Sequence, residues 1–258
     1  MAEVVIIGAG ASGMAAAIAA AESGEHHVTL IERQARVGRK LLSTGNGRCN
    51  ITNINPELCH YHGANPSFAA HALSVWPPEK VLEFFSSLGL MSVCEYGGRV
   101  YPLSNQASSV LDVLRFALEK PNIELLCSTT VESVRRKGKS FSLTWEGGGM
   151  DCDKLIIACG GCAGSKLGGV MDGYNLLKSL GHSRTSLYPS LTQIRTRPEI
   201  PRSMKGVKVQ AGVDVFKGKN KIGHGSGDLL FAKDLSVFFA HADATGGGGG
   251  YGEKPVAI

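Results

Sequence analysis

The amino-acid sequence predicts an α/β fold built on a parallel β-sheet, and three observations carry that prediction. An all-apolar run, Val4 to Ile7, leads straight into the spaced glycines Gly8, Gly10 and Gly13. An Ala-rich segment separates it from a second apolar run, Val28 to Ile31, which stops at an acid, Glu32. A third apolar run, from Lys154 onward, ends in the paired glycines Gly160 and Gly161.

Taken in order, Val4 to Ile7 has the unbroken apolar character of a strand covered on both faces. Gly8, Gly10 and Gly13 form G-x-G-x-x-G at a strand-to-helix turn, a dinucleotide-binding fingerprint with Ser12 inside it. The first glycine permits the tight turn, the second lets a pyrophosphate reach the backbone, and the third lets helix pack on strand. Ala11 to Glu22 is a strong helix former, with Gly24 placed to cap it. The amides and dipole at the start of that helix would face phosphate. Glu32 closes the second strand nineteen residues after Gly13. A carboxylate there accepts hydrogen bonds from both ribose hydroxyls and repels a 2′-phosphate. Glycines alone are weak evidence. Strand, glycines, helix, strand and acid in this order point to a Rossmann-like domain that binds a nucleotide cofactor.

At 258 residues, 43% hydrophobic and 19% charged, the chain is long enough for a sizeable core in one or two domains. Glu3 stands where a secretory leader would be basic, and no apolar run approaches the length of a membrane span. No membrane association is therefore expected. Seven cysteines at irregular spacing argue for reduced thiols and a cytoplasmic location. The net charge of +5 is uneven: between Arg195 and Lys221 eight basic residues face only Glu199 and Asp214. Such a stripe meets RNA phosphates or an anionic substrate, or it is simply a solvated face. No stacking-aromatic RNA motif accompanies it, and no DNA partner is expected.

After Arg33 a short polar stretch leads into Gly38-Arg39-Lys40 and then Ser43-Thr44-Gly45-Asn46-Gly47-Arg48-Cys49-Asn50. Glycines with a Lys and an Arg make an amide-rich cationic cradle, suited to a pyrophosphate and to the electron-rich edge of a flavin. The block resembles flavoproteins of the glutathione-reductase-like class. It most resembles the BaiN/YhiN-like family of NAD(P)/FAD-dependent oxidoreductases, whose members carry G-K-x-x-x-[ST]-G-x-G-R-C-N-x-T-N at this place. The resemblance implies FAD, held by Gly8, Gly10, Ser12 and Gly13, by Glu32 and Arg33, and by the cradle residues Arg39, Lys40, Thr44, Gly45, Gly47, Arg48, Cys49 and Asn50.

Further along, Glu79 to Leu88 has helical spacing and Gly89 follows as a cap. Met91 to Glu95 and Arg99 to Tyr101 flank Tyr96-Gly-Gly98 as a hairpin. Arg99-Val-Tyr-Pro102-Leu-Ser104 also matches the family, without a role that its residues reveal beyond a cation near substrate. Ser109 to Lys120 is an amphipathic helix stopped by Pro121. Strands are expected at Ile123 to Cys127, Thr130 to Arg135 and Phe141 to Trp145, with turns at Lys137-Gly138 and Gly147 to Gly149. In related flavoproteins the strand around Val131 gives main-chain contacts to the adenine, so the resemblance assigns Val131 to FAD.

The run from Lys154 ends in Ala158-Cys159-Gly160-Gly161, where the family usually has Ala-Thr-Gly-Gly. Small residues there allow close approach to the cofactor, and the resemblance assigns all four to FAD. Cys159 and Cys162 are formally a C-x-x-C, but no second ligand pair completes a zinc site. No metal is expected, and Cys159 is read as a small packing residue. Val207 to Val215 alternates cleanly, with Lys217-Gly-Lys-Asn220 turning into Ile222.

The expected organisation is a Rossmann-like FAD-binding domain at 1–190, the start of a β-rich inserted substrate domain at 191–231, and a poorly ordered tail at 232–258. The resemblance holds over about 1–231, so the C-terminal part of the family fold is expected to be missing. Asp243 to Tyr251 faintly matches the family's last flavin-contacting stretch. The implied activity is an FAD-dependent reductase that passes hydride from NAD(P)H through the flavin N5 to an activated C=C bond. The substrate is a steroid-like enone or, alternatively, a uridine in ribosomal RNA; no residue is assigned as proton donor. Two other readings stay open: a non-catalytic remnant, and an NAD-only dehydrogenase, against which the cradle argues.

Overall fold

The computed structural model describes residues 1–61, 65–187, 194–195, 204, 206–231 and 236–240. The chain divides into two compact units, Met1–Pro56 with Ala72–Thr185, and Glu57–His71 with Ser186–Ile258.

In the first unit β1 (Glu3–Ile7) leads through Gly8 into α1 (Ala11–Ala20), and Gly24 takes the left-handed conformation after it. β2 (His27–Ile31) pairs parallel to β1, with Val4 beside Val28 and Ile7 beside Ile31. The cradle then enters β3 (Thr52–Asn53). Ala69–Val75 forms a short helix, α2, where no helix was expected, and α3 (Pro78–Ser87) starts on a proline suited to a first turn. β4 (Ser92–Cys94) and β5 (Arg99–Pro102) form the expected hairpin, with β5 between β3 and β4. α4 (Ala107–Ala117) and β6 (Ile123–Leu126) follow.

β7 (Ser133–Lys137), β8 (Ser140–Trp145) and β9 (Gly148–Cys152) make an antiparallel meander. The chain returns through β10 (Lys154–Ile157) and ends the unit with α5 (Asp172–Ser179). The central sheet runs β10-β1-β2-β6, all parallel. Alternate side chains of β1 and β2 enter two cores. Val4, Ile6, Val28 and Leu30 pack with Met14, Ala17, Val110 and Leu114, while Val5, Ile7 and Ile31 pack with Val131, Val134, Leu143 and Leu176. Burial on both faces is why Val4–Ile7 reads as an unbroken apolar run and β2 as one interrupted only by the buried Thr29.

Two expected boundaries in this unit also differ from the structure. The strand foreseen at Thr130 starts only at Ser133, because Ser128 turns left-handed and the amides of Ser128 and Thr129 bond back to Gln34 and Glu32. Gly148 and Gly149, read as turn residues, open β9: a Cβ on Gly148 would strike the Trp145 ring at 2.7 Å, so glycine here makes room for a cross-strand indole.

In the second unit the sheet order is β11 (Ile194–Arg195), β14 (Ser236–Ala240), β13 (Asn220–Phe231), β12 (Lys208–Lys217), with β12 and β13 an antiparallel hairpin. β14 lies in the segment expected to be a poorly ordered tail and pairs with β13. Arg197, Arg202 and Lys205 of the basic run, and the glycine run 246–250, lie outside the described residues.

Candidate functional site

Where β1 and β2 end, the chain leaves the sheet on both sides of a cleft of about 540 Å³, a volume usual for small-molecule sites. The fingerprint turn forms one wall. Gly8 adopts φ +102°, and a Cβ there would lie 2.6 Å from the Ala158 carbonyl oxygen; on Gly13 it would lie 1.8 Å from that of Gly8. Both are glycine because the protein leaves no room. Gly10 differs: its φ of −78° suits any residue, and a Cβ would meet no protein atom within 4 Å. It leaves backbone bare towards the cleft, as a closely approaching ligand requires. Gly10 is also the N-cap of α1, and no side chain caps that helix, so its first-turn amides stay available to an anion.

Glu32 stands at the end of β2. Its Oε2 accepts from the amide of Ala9 at 2.8 Å and its Oε1 from that of Gln34 at 2.9 Å. Each oxygen keeps a second acceptor direction, enough for a pair of vicinal hydroxyls. Arg33 donates to the Gly168 carbonyl at 3.0 Å and pairs with Asp172 at 3.6 Å; Lys40 donates to the Gly161 carbonyl at 3.1 Å; Arg39 donates to Gln34 Oε1 at 3.1 Å. The cleft lining holds four cations, Arg33, Arg36, Arg39 and Lys40, against the carboxylates Glu32 and Asp172. The surplus of positive charge suits a pyrophosphate.

The cradle is not a loose loop. Leu41–Gly47 is a 3₁₀ turn broken by left-handed Gly45 and Asn46, and Cys49 is left-handed as well. The Gly38 amide fastens one end to the Ala9 carbonyl at 2.9 Å, and pairing of β3 with β5 fastens the other. Thr44, Cys49 and Asn50 face the cleft.

Of the residues expected to bind a cofactor, Gly8, Gly10, Ser12, Glu32, Arg33, Arg39, Lys40, Thr44, Cys49, Asn50, Val131, Ala158, Cys159 and Gly160 line this one cleft. Gly13, Gly45, Gly47, Arg48 and Gly161 do not. Gly13 is under the turn, Gly45 packs near Tyr101, and the Arg48 guanidinium lies over the Tyr101 ring. Sequence reasoning missed Gln34, Arg36 and Asp172. Asp172 stands between the third apolar run and the second unit with no sequence pattern to single it out.

The Cys159 thiol is pushed up to about 11, first by burial and then by the charges of Glu32 and Asp172. Its Cβ lies 2.7 Å from where a Cβ on Gly173 would be, so it packs tightly against α5. All seven cysteines are free. Among the described residues one group of potential metal ligands comes together, Glu57, Cys59 and His60; all three are exposed on a single short turn, and none lines the cleft.

Strand order, fingerprint turn and acid-ended second strand define a Rossmann-type α/β domain with a ligand cleft at the carboxyl ends of its strands. Over residues 2–250 the sequence matches the family described as the HI0933-like protein Rossmann domain, and the chain belongs to that family. The match continues past residue 231, where the recognisable resemblance was expected to stop.

Among characterised relatives, it is 38% identical over 225 residues to the 3-dehydro-bile acid delta(4,6)-reductase of Clostridium scindens, covering 87% of this chain and 55% of that protein. It is 32% identical over 179 residues to the ribosomal RNA dihydrouridine synthase of Escherichia coli, covering 69% and 44%. The chain thus spans about half the length of the curated relatives it matches. A solved structure, THI4 of Thermovibrio ammonificans, superposes with a TM-score of 0.46 at 12% identity, covering 70% of this chain and 64% of that one. Among the described residues no helix is long and apolar enough to cross a membrane.

Proposed function

We propose that this chain is the FAD-binding part of an NAD(P)H-dependent flavin reductase that acts on an activated C=C bond in a small, steroid-like enone. The observation that carries the cofactor assignment is Gly10, a glycine that nothing in the protein requires, set opposite Glu32 in a cation-rimmed cleft. The substrate class rests on the 38% identity to the bile acid reductase. The flavin, when bound, supplies the hydride chemistry. The chain's own residues do the holding. Glu32 takes the ribose hydroxyls, the α1 amides with Arg39 and Lys40 take the pyrophosphate, and the cradle borders the ring system. Val131 and the Ala158–Gly161 turn close the remaining walls.

The second reading, a uridine in ribosomal RNA as substrate, is supported by the similarity to the E. coli enzyme and by the exposed cations Lys208, Lys217 and Lys219. The free thiols favour a reducing, cytoplasmic setting. The purified chain should be yellow, with flavin absorbance near about 450 nm that bleaches anaerobically on adding NAD(P)H. A preparation that binds FAD but is not bleached by either nicotinamide would leave a non-catalytic flavoprotein. One that binds nicotinamide without flavin would point to an NAD-only dehydrogenase. If Lys208, Lys217 and Lys219 all changed to Glu leave RNA binding and its salt dependence untouched, the RNA branch falls.

A further inference from the structure

We propose that the β4–β5 hairpin is a positioning element for the cradle, acting through Arg48 on Glu95, Tyr101 and Asn105. Arg48 sits among cradle residues that face the cleft, yet its own side chain is engaged elsewhere. Nε donates to Asn105 Oδ1, a terminal nitrogen donates to Glu95 Oε1, and the guanidinium lies 3.9 Å above the centre of the Tyr101 ring. Two charge-assisted hydrogen bonds and a stacked ring leave the group little freedom.

Its partners sit on one short stretch. Glu95 precedes the tight turn of the hairpin, Tyr101 is in β5, and Asn105 follows in a left-handed conformation of its own. The backbone reinforces the link. The Ile51 amide donates to the Val100 carbonyl at 2.8 Å and the Ile54 amide to that of Gly98 at 2.9 Å.

What this contact holds is strained. Asn46 and Cys49 both have positive φ, a region that residues with a Cβ avoid and keep only where surroundings over-determine it. Beside them, a Cβ on Gly45 would lie 2.8 Å from the Asn50 amide nitrogen and 3.4 Å from Tyr101 Cε1, so ring and turn are in close register. The internal bonds Cys49 N to Thr44 O at 3.0 Å and Arg48 N to Gly45 O at 3.2 Å close the turn, and buried Leu41 and Cys49 root it in the core. The Arg48 side chain adds the tie to the hairpin. It keeps Thr44, Cys49 and Asn50 on the cleft wall before any ligand arrives, and so spares binding the cost of ordering them. The importance of that wall for FAD rests on the proposed function; the anchoring itself does not.

The test uses the whole 258-residue chain with Glu95→Gln, which preserves shape, and Tyr101→Leu. Amide hydrogen exchange without FAD should speed up about tenfold across 43–51 in both variants, with β1 and β2 unchanged. The FAD dissociation constant should rise several-fold in parallel, since Glu95→Gln keeps an acceptor for Arg48 but removes the opposite charge. The visible circular dichroism of the bound flavin should change as well, which a general loss of stability would not produce. Glu95→Gln with wild-type exchange at 43–51 overturns the proposal, whatever Tyr101→Leu does. If the wild-type chain takes up no FAD, the reading of the cleft fails and exchange alone decides the anchoring.

Discussion

Gly10 and Gly13 sit three residues apart in one motif and are glycine for opposite reasons. A methyl at Gly13 collides with the Gly8 carbonyl, so Gly13→Ala should cost the fold about 2–4 kcal/mol, read as a lower denaturant midpoint without FAD. A methyl at Gly10 meets only empty space. Gly10→Ala should therefore change stability by less than about 1 kcal/mol while weakening FAD at least tenfold. Equal stability loss in both variants would remove the argument that Gly10 is shaped for a ligand. Cys159 illustrates the same separation of packing from chemistry. With its thiol pushed up to about 11, it stays protonated at neutral pH and should alkylate on the order of a hundredfold more slowly than exposed Cys162, as peptide mapping would show. Rapid labelling of Cys159 would show instead that it is a reactive thiol rather than a packing residue.

Elements that pack on both faces were legible, and those that depend on a distant partner were not. β1 and β2 announce themselves because two cores cover them, β10 because its run is apolar with Leu155 and Ile157 packed on one of those cores, and α1 because six of its ten residues are alanine and glycines frame it. β9 was hidden: Gly148 and Gly149 look like a turn until the Trp145 ring and the β8 backbone they pack against are in place. The cradle was legible as a motif but not as a shape, since nothing in the sequence says that Arg48 leaves the cleft for a hairpin nearly fifty residues on. In the second unit the β12–β13 hairpin carries its own switch. Hydrogen bonds first from Lys221 and then from His224 hold the Asp214 carboxyl below the ordinary carboxylate range. A depressed carboxylate lends stability that is complete above its unfolded value and lost as pH falls through the folded one. The carboxyl carbon shift of Asp214 should thus move only below about pH 4, and Asp214→Asn should abolish that step.

At the scale of the whole molecule, the question is whether a chain that spans about half the length of its curated relatives binds the cofactor its fingerprint describes. The residues assigned to FAD come from five separate stretches, near 10, 32, 45, 131 and 160, and the first unit alone brings members of each to one cleft. A site assembled within one compact unit binds as that unit folds, so ligand and stability must be linked. Free FAD at a hundred times its dissociation constant adds about 2.7 kcal/mol, which for a unit of this size raises the melting temperature by roughly 5–10 °C. Glu32→Ala should abolish most of that rise, because it removes the only carboxylate that β2 presents to the ribose and frees the Ala9 amide it holds. NADH or NADPH alone should give a much smaller shift in both proteins. A wild-type chain that FAD fails to stabilise, while its unliganded melting transition remains sharp and cooperative, would mean that the first unit folds without completing the site.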